Sequence, residues 1–183
     1  ERLGHTKLFT NEKTAEINRM VLNIVEACAI LAKERKGALI VIQSKVPLKE
    51  YSDTGIALNA KVSKELLLSI FNPLAPLHDG AVIIEGDNIV AASCILPHSF
   101  KNTVPLMGTR HKAALGLSES TDAHIIVVSE EKGFISLCHN GDMLKDISPE
   151  HLHALLIEKL RPHKKRKAKK SPKLHKEFKH PHD

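Results

Sequence analysis

Apolar residues recur at Ile17, Val21, Ile24 and Cys28, the spacing of one helical face, and Leu22, Val25 and Ala29 widen the stripe. Asn11 followed by Glu12 offers a capping side chain and an acid in the first turn. The pattern therefore predicts an irregular lead-in over residues 1–10 and a helix from Asn11 to about Lys36, ending before Gly37. Gly37 to Gln43 (GALIVIQ) is a continuous apolar run with β-branched residues, which suits a strand covered on both faces. After a loop through Pro47, Gly55–Asn59 reads as a short strand. Ser63 then caps a short helix carrying Leu66, Leu67 and Ile70, and Asn72-Pro73 ends it.

Ala81–Glu85 and Ile89–Leu96 flank Gly86-Asp87-Asn88, the pattern of a β-hairpin. A loop rich in Pro, His, Ser and Asn runs to Gly108, and Thr109–Leu117 reads as a helix. A second hairpin joins His124–Ser129 to Phe134–Cys138 across Glu130–Gly133. Ser148-Pro149-Glu150 is a strong helix start, with a cap and then proline at the first helical position, and Leu152, Leu155, Leu156 and Leu160 follow. Beyond Leu160 the apolar periodicity stops. This order of elements describes one α/β domain with a central mixed β-sheet flanked by helices, over residues 1–160, followed by a tail over residues 161–183.

Charge changes the picture only once it is located. The 183 residues carry a net charge of +6, with 27 Lys or Arg and 21 Asp or Glu. Ten of those bases and two of those acids, Glu177 and Asp183, lie from Arg161 onward, so residues 1–160 hold 17 bases and 19 acids. The body is near neutral and the basicity is a tail. Aromatic residues make up only 3% of the chain and tryptophan is absent, so the core is aliphatic and single-stranded nucleic acid finds few stacking platforms. Cys28, Cys94 and Cys138 each sit in an apolar run at spacings that match no zinc pattern, and read as buried thiols in a reducing compartment. No apolar stretch reaches transmembrane length and no signal peptide is visible. Glu1 rather than Met begins the chain, which leaves room for something upstream.

Two stretches do not read as ordinary connections. In His78-Asp79-Gly80-Ala81 a His and an Asp stand at the entrance of a buried strand, where they are potential metal ligands or a base. The small residues after them let a ligand approach the backbone. His-Asp-Gly is also common in plain turns. In Gly108-Thr109-Arg110-His111-Lys112, a hydroxyl cap precedes three cationic or titratable residues in a first helical turn, against the preference of the helix dipole. Such a start suits a bound anion, cradled by N–H groups, the Thr109 hydroxyl and the Arg110 fork, although a solvated basic turn has the same composition. Ser129-Glu130-Glu131, at the end of a buried strand, is either a third ligand group or a hairpin turn.

Together, His78-Asp79-Gly80-Ala81 and Gly108-Thr109-Arg110-His111, with a hairpin between, resemble the paired signature motifs of diadenylate cyclase domains. Gly55–Ser63, Pro76–Ile83, and Ala113–Glu119 leading to Ser129-Glu130-Glu131 resemble the membrane-anchored bacterial type. Lys112 departs from the pattern, where the family's second motif commonly has arginine. Lysine keeps the charge and loses the bidentate fork.

The resemblance implies one ATP per protomer, two protomers facing each other, and cyclic di-AMP and pyrophosphate as products. Asp79 would orient or deprotonate the 3′-hydroxyl, and Thr109, Arg110 and His111 would hold the phosphates. Gly80 and Ala81 would pass beside the nucleotide, Gly108 and Glu131 would join the ATP and phosphate contacts, and Leu96 and Ser129 would line the adenine pocket. His78, Asp79 and Glu131 are candidate contacts to a divalent metal, Mn²⁺ or Mg²⁺. It further implies a membrane anchor upstream of Glu1, placing the full-length protein at the cytoplasmic face of the cell membrane and making this fragment soluble. The tail reads as a disordered extension, a lipid-headgroup contact or, third, a nucleic-acid contact. No nucleic-acid partner is expected of the body. The alternatives are a non-catalytic nucleotide or cyclic-dinucleotide binding module, and a nucleic-acid-binding protein acting through its tail.

Overall fold

A computed structural model describes residues 2–99 and 107–161, with side chains from residue 12 onward; the tail expected beyond Arg161 lies outside the described residues. Five helices and seven strands follow in the order α1 (Arg2–Lys33), β1 (Ala38–Ile42), α2 (Lys49–Ser52), β2 (Ile56–Lys61), α3 (Lys64–Ile70), β3 (Ala81–Glu85), β4 (Asn88–Cys94), α4 (Thr109–Ser120), β5 (His124–Val128), β6 (Ile135–His139), β7 (Asp142–Leu144) and α5 (Pro149–Leu160).

The strands form one mixed sheet in the order β2-β4-β3-β1-β5-β6-β7. β1 runs parallel to β3, with Ile40 opposite Val82, and every other neighbouring pair is antiparallel. All five residues of β1 and of β5 are buried, as expected for strands covered on both faces. Alternation along the strands sorts the core into two layers. Ile40, Ile42, Val82, Ile84, Ile126 and Val128 pack with α1, α3 and α5 through Val21, Ile24, Leu67, Leu152 and Leu156. Leu39, Val41, Ile83, Ile125 and Val127 face the opposite way, against Ala113, Ala114 and Leu117 of α4. The three cysteines are buried and unpaired, and the thiols of Cys28 and Cys138 are pushed up to about 12 by desolvation.

Two expectations at the start of the chain are corrected. Residues 2–10 are helical rather than an irregular lead-in, and Asn11 lies inside α1 rather than capping it. The stretch contains no proline and its single glycine, Gly4, is in the first turn, so nothing in the chain interrupts the hydrogen-bond ladder. α1 ends at Lys33, slightly short of the expected Lys36. Lys36 N–H reaches Leu31 O at 2.8 Å, Arg35 N–H reaches Ala32 O at 3.2 Å, and Arg35 takes a φ of 53°. That is a Schellman end with arginine where glycine is usual. Two elements had no sequence signal of their own, the single-turn α2 and the three-residue β7. Ser63 and Ser148 cap as expected, accepting from Leu66 N–H and His151 N–H. Among the described residues no helix is long and apolar enough to cross a membrane.

Candidate functional site

The N-terminal ends of β1 and β3 and the C-terminal ends of β4 and β5 meet at one end of the sheet, under the start of α4. Two open hollows lie there, with cavity volumes of ≈ 150 and ≈ 220 Å³. The first is lined by Met107–His111, Val128–Lys132, Phe134, Ser136 and Lys145. The second is lined by Leu39, Asp79, Gly80, Ser93–Leu96, His98, Thr109, Arg110 and Ala113. Thr109 and Arg110 belong to both.

The start of α4 is bare. Gly108 is its N-cap, extended at φ −60° and ψ 161°, and no side chain caps the first turn. Thr109 is thus the first helical residue and not the hydroxyl cap expected from sequence. An uncapped first turn leaves N–H groups open for an acceptor, which is the ready-made anion site of a helix. Arg110 Nη1 donates to Glu130 Oε2 at 2.7 Å, tying the start of α4 to the β5–β6 turn. Arg110 is largely buried and Glu130 mostly exposed, so the pair is open to competition from a stronger anion. His111 is half-buried, and its imidazole is held below the usual range, first by desolvation and then by Lys145, with Glu131 acting the other way.

Gly80 serves two purposes. Its φ of +108° is one that glycine alone adopts freely, and a Cβ there would meet the Ser93 carbonyl carbon at 2.7 Å. β4 bulges at this point, with Ser93 at φ 56°, and the bulge shapes the wall of the second hollow. Asp79, exposed, stands beside it.

The expected residues are gathered unevenly. Asp79, Gly80, Leu96, Thr109 and Arg110 share the second hollow, while Gly108, Thr109, Arg110, His111, Ser129 and Glu131 share the first. Leu96 and Ser129, paired in expectation around adenine, therefore line different hollows. Ser129 Oγ accepts from Lys132 N–H at 3.2 Å and so also shapes the turn. Ala81 is fully buried in β3 and lines neither hollow. His78 lines neither, and its Nδ1 hydrogen-bonds with Ala75 O at 2.7 Å, leaving only Nε2 for a ligand. His78, Asp79 and Glu131 do not converge, and no group of three His, Cys, Asp or Glu among the described residues could hold a metal. A resident metal cage does not fit; an ion that brings phosphate oxygens with it needs only one or two carboxylates, which Asp79 or Glu131 supply. Lys145 and His98 were missed, because each lies on an irregular segment with no motif around it.

Residues 25–143 match the model of a family described as DAC, the nucleotide-binding domain of the DisA bacterial checkpoint controller. A diadenylate cyclase from Listeria monocytogenes is 44% identical over 164 residues, which cover 87% of this chain and 60% of that protein. The chain thus spans about 60% of the length of this curated relative. A crystal structure of DacA from Staphylococcus aureus, a double mutant, matches with a TM-score of 0.75 and 44% identity over 76% of this chain and 93% of that one. A crystal structure described as a hypothetical membrane spanning protein from Bacillus cereus matches with a TM-score of 0.66 and 45% identity, covering 68% and 62% of the two chains.

Proposed function

The chain belongs to the family of DAC nucleotide-binding domains that diadenylate cyclases carry, and from that premise we propose that it condenses two ATP molecules into cyclic 3′,5′-di-AMP with release of two pyrophosphates. The observation that carries this reading is the double membership of Thr109 and Arg110. Because they line both hollows, the triphosphate and the nucleoside of one ATP can occupy neighbouring spaces around one cationic helix start.

In each half-reaction the 3′-hydroxyl oxygen of one ATP attacks the α-phosphorus of the other. A P–O bond forms, the bond to the bridging oxygen of the β-phosphate breaks, and pyrophosphate leaves. The hydroxyl proton passes to the Asp79 carboxylate. Such a transfer needs in-line positioning and neutralised charge more than covalent help from the protein. Thr109, Arg110 and His111 hold the phosphates together with the open N–H groups behind Gly108. Leu96 gives the adenine an apolar wall and Gly80 lets the nucleotide run close to the backbone. Asp79 or Glu131 would supply a carboxylate to Mn²⁺ or Mg²⁺ arriving with the triphosphate, and the ion would supply further neutralisation of phosphate charge.

One protomer holds one Asp79 and one phosphate cradle, which serve one ATP. The attacking and attacked nucleotides therefore sit on two protomers that face each other. The full-length protein works at the cytoplasmic face of the cell membrane, a reading supported by the Bacillus cereus relative described as membrane spanning.

Incubation of the full-length protein with ATP and Mn²⁺ or Mg²⁺, followed by chromatography, is expected to yield cyclic di-AMP at a rate that rises faster than linearly with protein concentration. Linearity over a wide dilution range would overturn the facing pair. Absence of product with either metal at every concentration would overturn the enzyme, and nucleotide binding without product would mark a non-catalytic binding module. Asp79→Asn is expected to abolish product with an unchanged melting curve; loss of folding would make Asp79 a structural turn residue.

A further inference from the structure

The glycines of this chain differ in what a methyl group in their place would strike. At Gly80 it would meet backbone carbon of Ser93, at Gly116 the backbone nitrogen of Ser99 at 2.6 Å, and at Gly55 the Cys94 sulfur at 2.6 Å and the Ala92 carbonyl. Gly37 is different. A Cβ there would meet the Arg110 guanidinium, with Cζ at 2.7 Å, and Glu130 Oε2 at 2.9 Å. Both are the ends of flexible side chains.

Nothing else about Gly37 calls for glycine. Its φ is outside the left-handed region, unlike those of Gly80, Gly86, Gly133 and Gly141. It follows the Schellman end of α1, whose left-handed residue is Arg35, and precedes β1 without a turn of its own. It is nevertheless buried, and what covers it is the Arg110–Glu130 pair. The bare backbone at 37 is a floor on which the guanidinium lies.

We propose that Gly37 is a positioning residue for Arg110, its missing side chain setting the place of the guanidinium between the two hollows. The proposal rests on the reading that Arg110 holds nucleotide phosphate. A methyl group at 37 would lift the fork from its seat, and the fold would yield at that fork rather than at the backbone. Sequence gave no hint of this, since Gly37 reads as the plain boundary between a helix and a strand.

The test uses the full chain and 3′-deoxy-ATP, which lacks the attacking hydroxyl and so binds without turnover. Gly37→Ala is expected to weaken its binding about tenfold, the scale of one misplaced charge-assisted contact, while Tm moves by less than about 4 °C. The Nε–H resonance of Arg110 is expected to shift in the nucleotide-free variant. In an Arg110→Ala background, itself weakened, Gly37→Ala is expected to add less than about a twofold change, because the group it displaces is gone. An equal loss in both backgrounds, or no loss in either, would overturn the proposal. So would a collapse of Tm, which would mean that the methyl group meets the fold and not the fork. Unchanged binding in Arg110→Ala alone would instead overturn the phosphate reading on which the proposal stands.

Discussion

Two helices of this chain begin in opposite ways. α5 starts with Ser148, whose hydroxyl accepts from His151 N–H at 3.2 Å, then Pro149, then the acid Glu150. The Glu150 carboxyl is held below its usual range, chiefly by its own backbone N–H and then by Ser148. Each choice satisfies an orphan donor or favours the helix dipole. α4 has Gly108, no capping side chain, no acid in its first turn, and Arg110, His111 and Lys112 instead. Every one of those choices costs the helix something locally. The first start serves the fold; the second gives up local stability and leaves open donors, Arg110 and His111 beside two hollows. Violations of a local rule that cluster beside a cavity mark function more reliably than any single residue type.

The sharpest way to break the contrast is to give α4 a start like that of α5. Gly108 is exposed, extended, and has nothing within 4 Å of where a Cβ would stand, so Gly108→Asp fits without strain. Its carboxylate would accept from the first-turn N–H groups and oppose incoming phosphate. The helix should gain about 0.5–1 kcal/mol, read as a small rise in Tm. Nucleotide affinity should fall about a hundredfold, equivalent to ~2.7 kcal/mol. A variant that melts higher and still binds ATP normally would mean that the bare start of α4 is not the phosphate cradle.

The complementary change strips the cap from α5. Ser148→Ala should cost about 1 kcal/mol, which lowers Tm by ~2–6 °C in thermal unfolding followed by circular dichroism. Cyclic di-AMP production at a temperature well below the melting point should be unchanged, because α5 packs on the far layer of the sheet from α4. An activity loss matching that of the α4 variant would erase the distinction between the two starts.

The α5 start was legible because cap, proline and acid are consecutive and act on one another. Most of the fold was legible for a similar reason: the hairpins at Asp87 and Lys132 and the apolar strands announce themselves in short windows. α2 and β7 did not, since a single turn and a three-residue strand are held by neighbours and not by a pattern of their own. The lead-in is helical against its local pattern because Asn11 has a capping preference that a longer helix simply absorbs. At the site, the three motif stretches were visible, but their arrangement was not. That Arg110 bonds Glu130, that both rest on Gly37, and that Lys145 faces His111 are facts of tertiary packing between segments far apart in the chain. His78 shows the reverse case, a motif residue whose Nδ1 is taken up by the turn it sits in.

Lys112 sharpens the contrast at its smallest scale. It is the motif position where the family pattern leads one to expect arginine, and it belongs to the same cationic turn as Arg110. Its geometry separates it from that neighbour. It lines neither hollow, and its role is held by the backbone, where its carbonyl accepts from Ser99 N–H at 3.0 Å. A helix turns 100° per residue, so two positions beyond Arg110 points a side chain well away from the shared wall. Lysine and arginine differ chiefly in bidentate reach, which matters only where an oxygen pair is within range. Lys112→Arg should therefore change kcat/KM for cyclic di-AMP synthesis by less than about threefold, or ~0.7 kcal/mol. A tenfold gain would place residue 112 on the phosphates, and the cradle would then extend around α4 beyond the two hollows that Thr109 and Arg110 share.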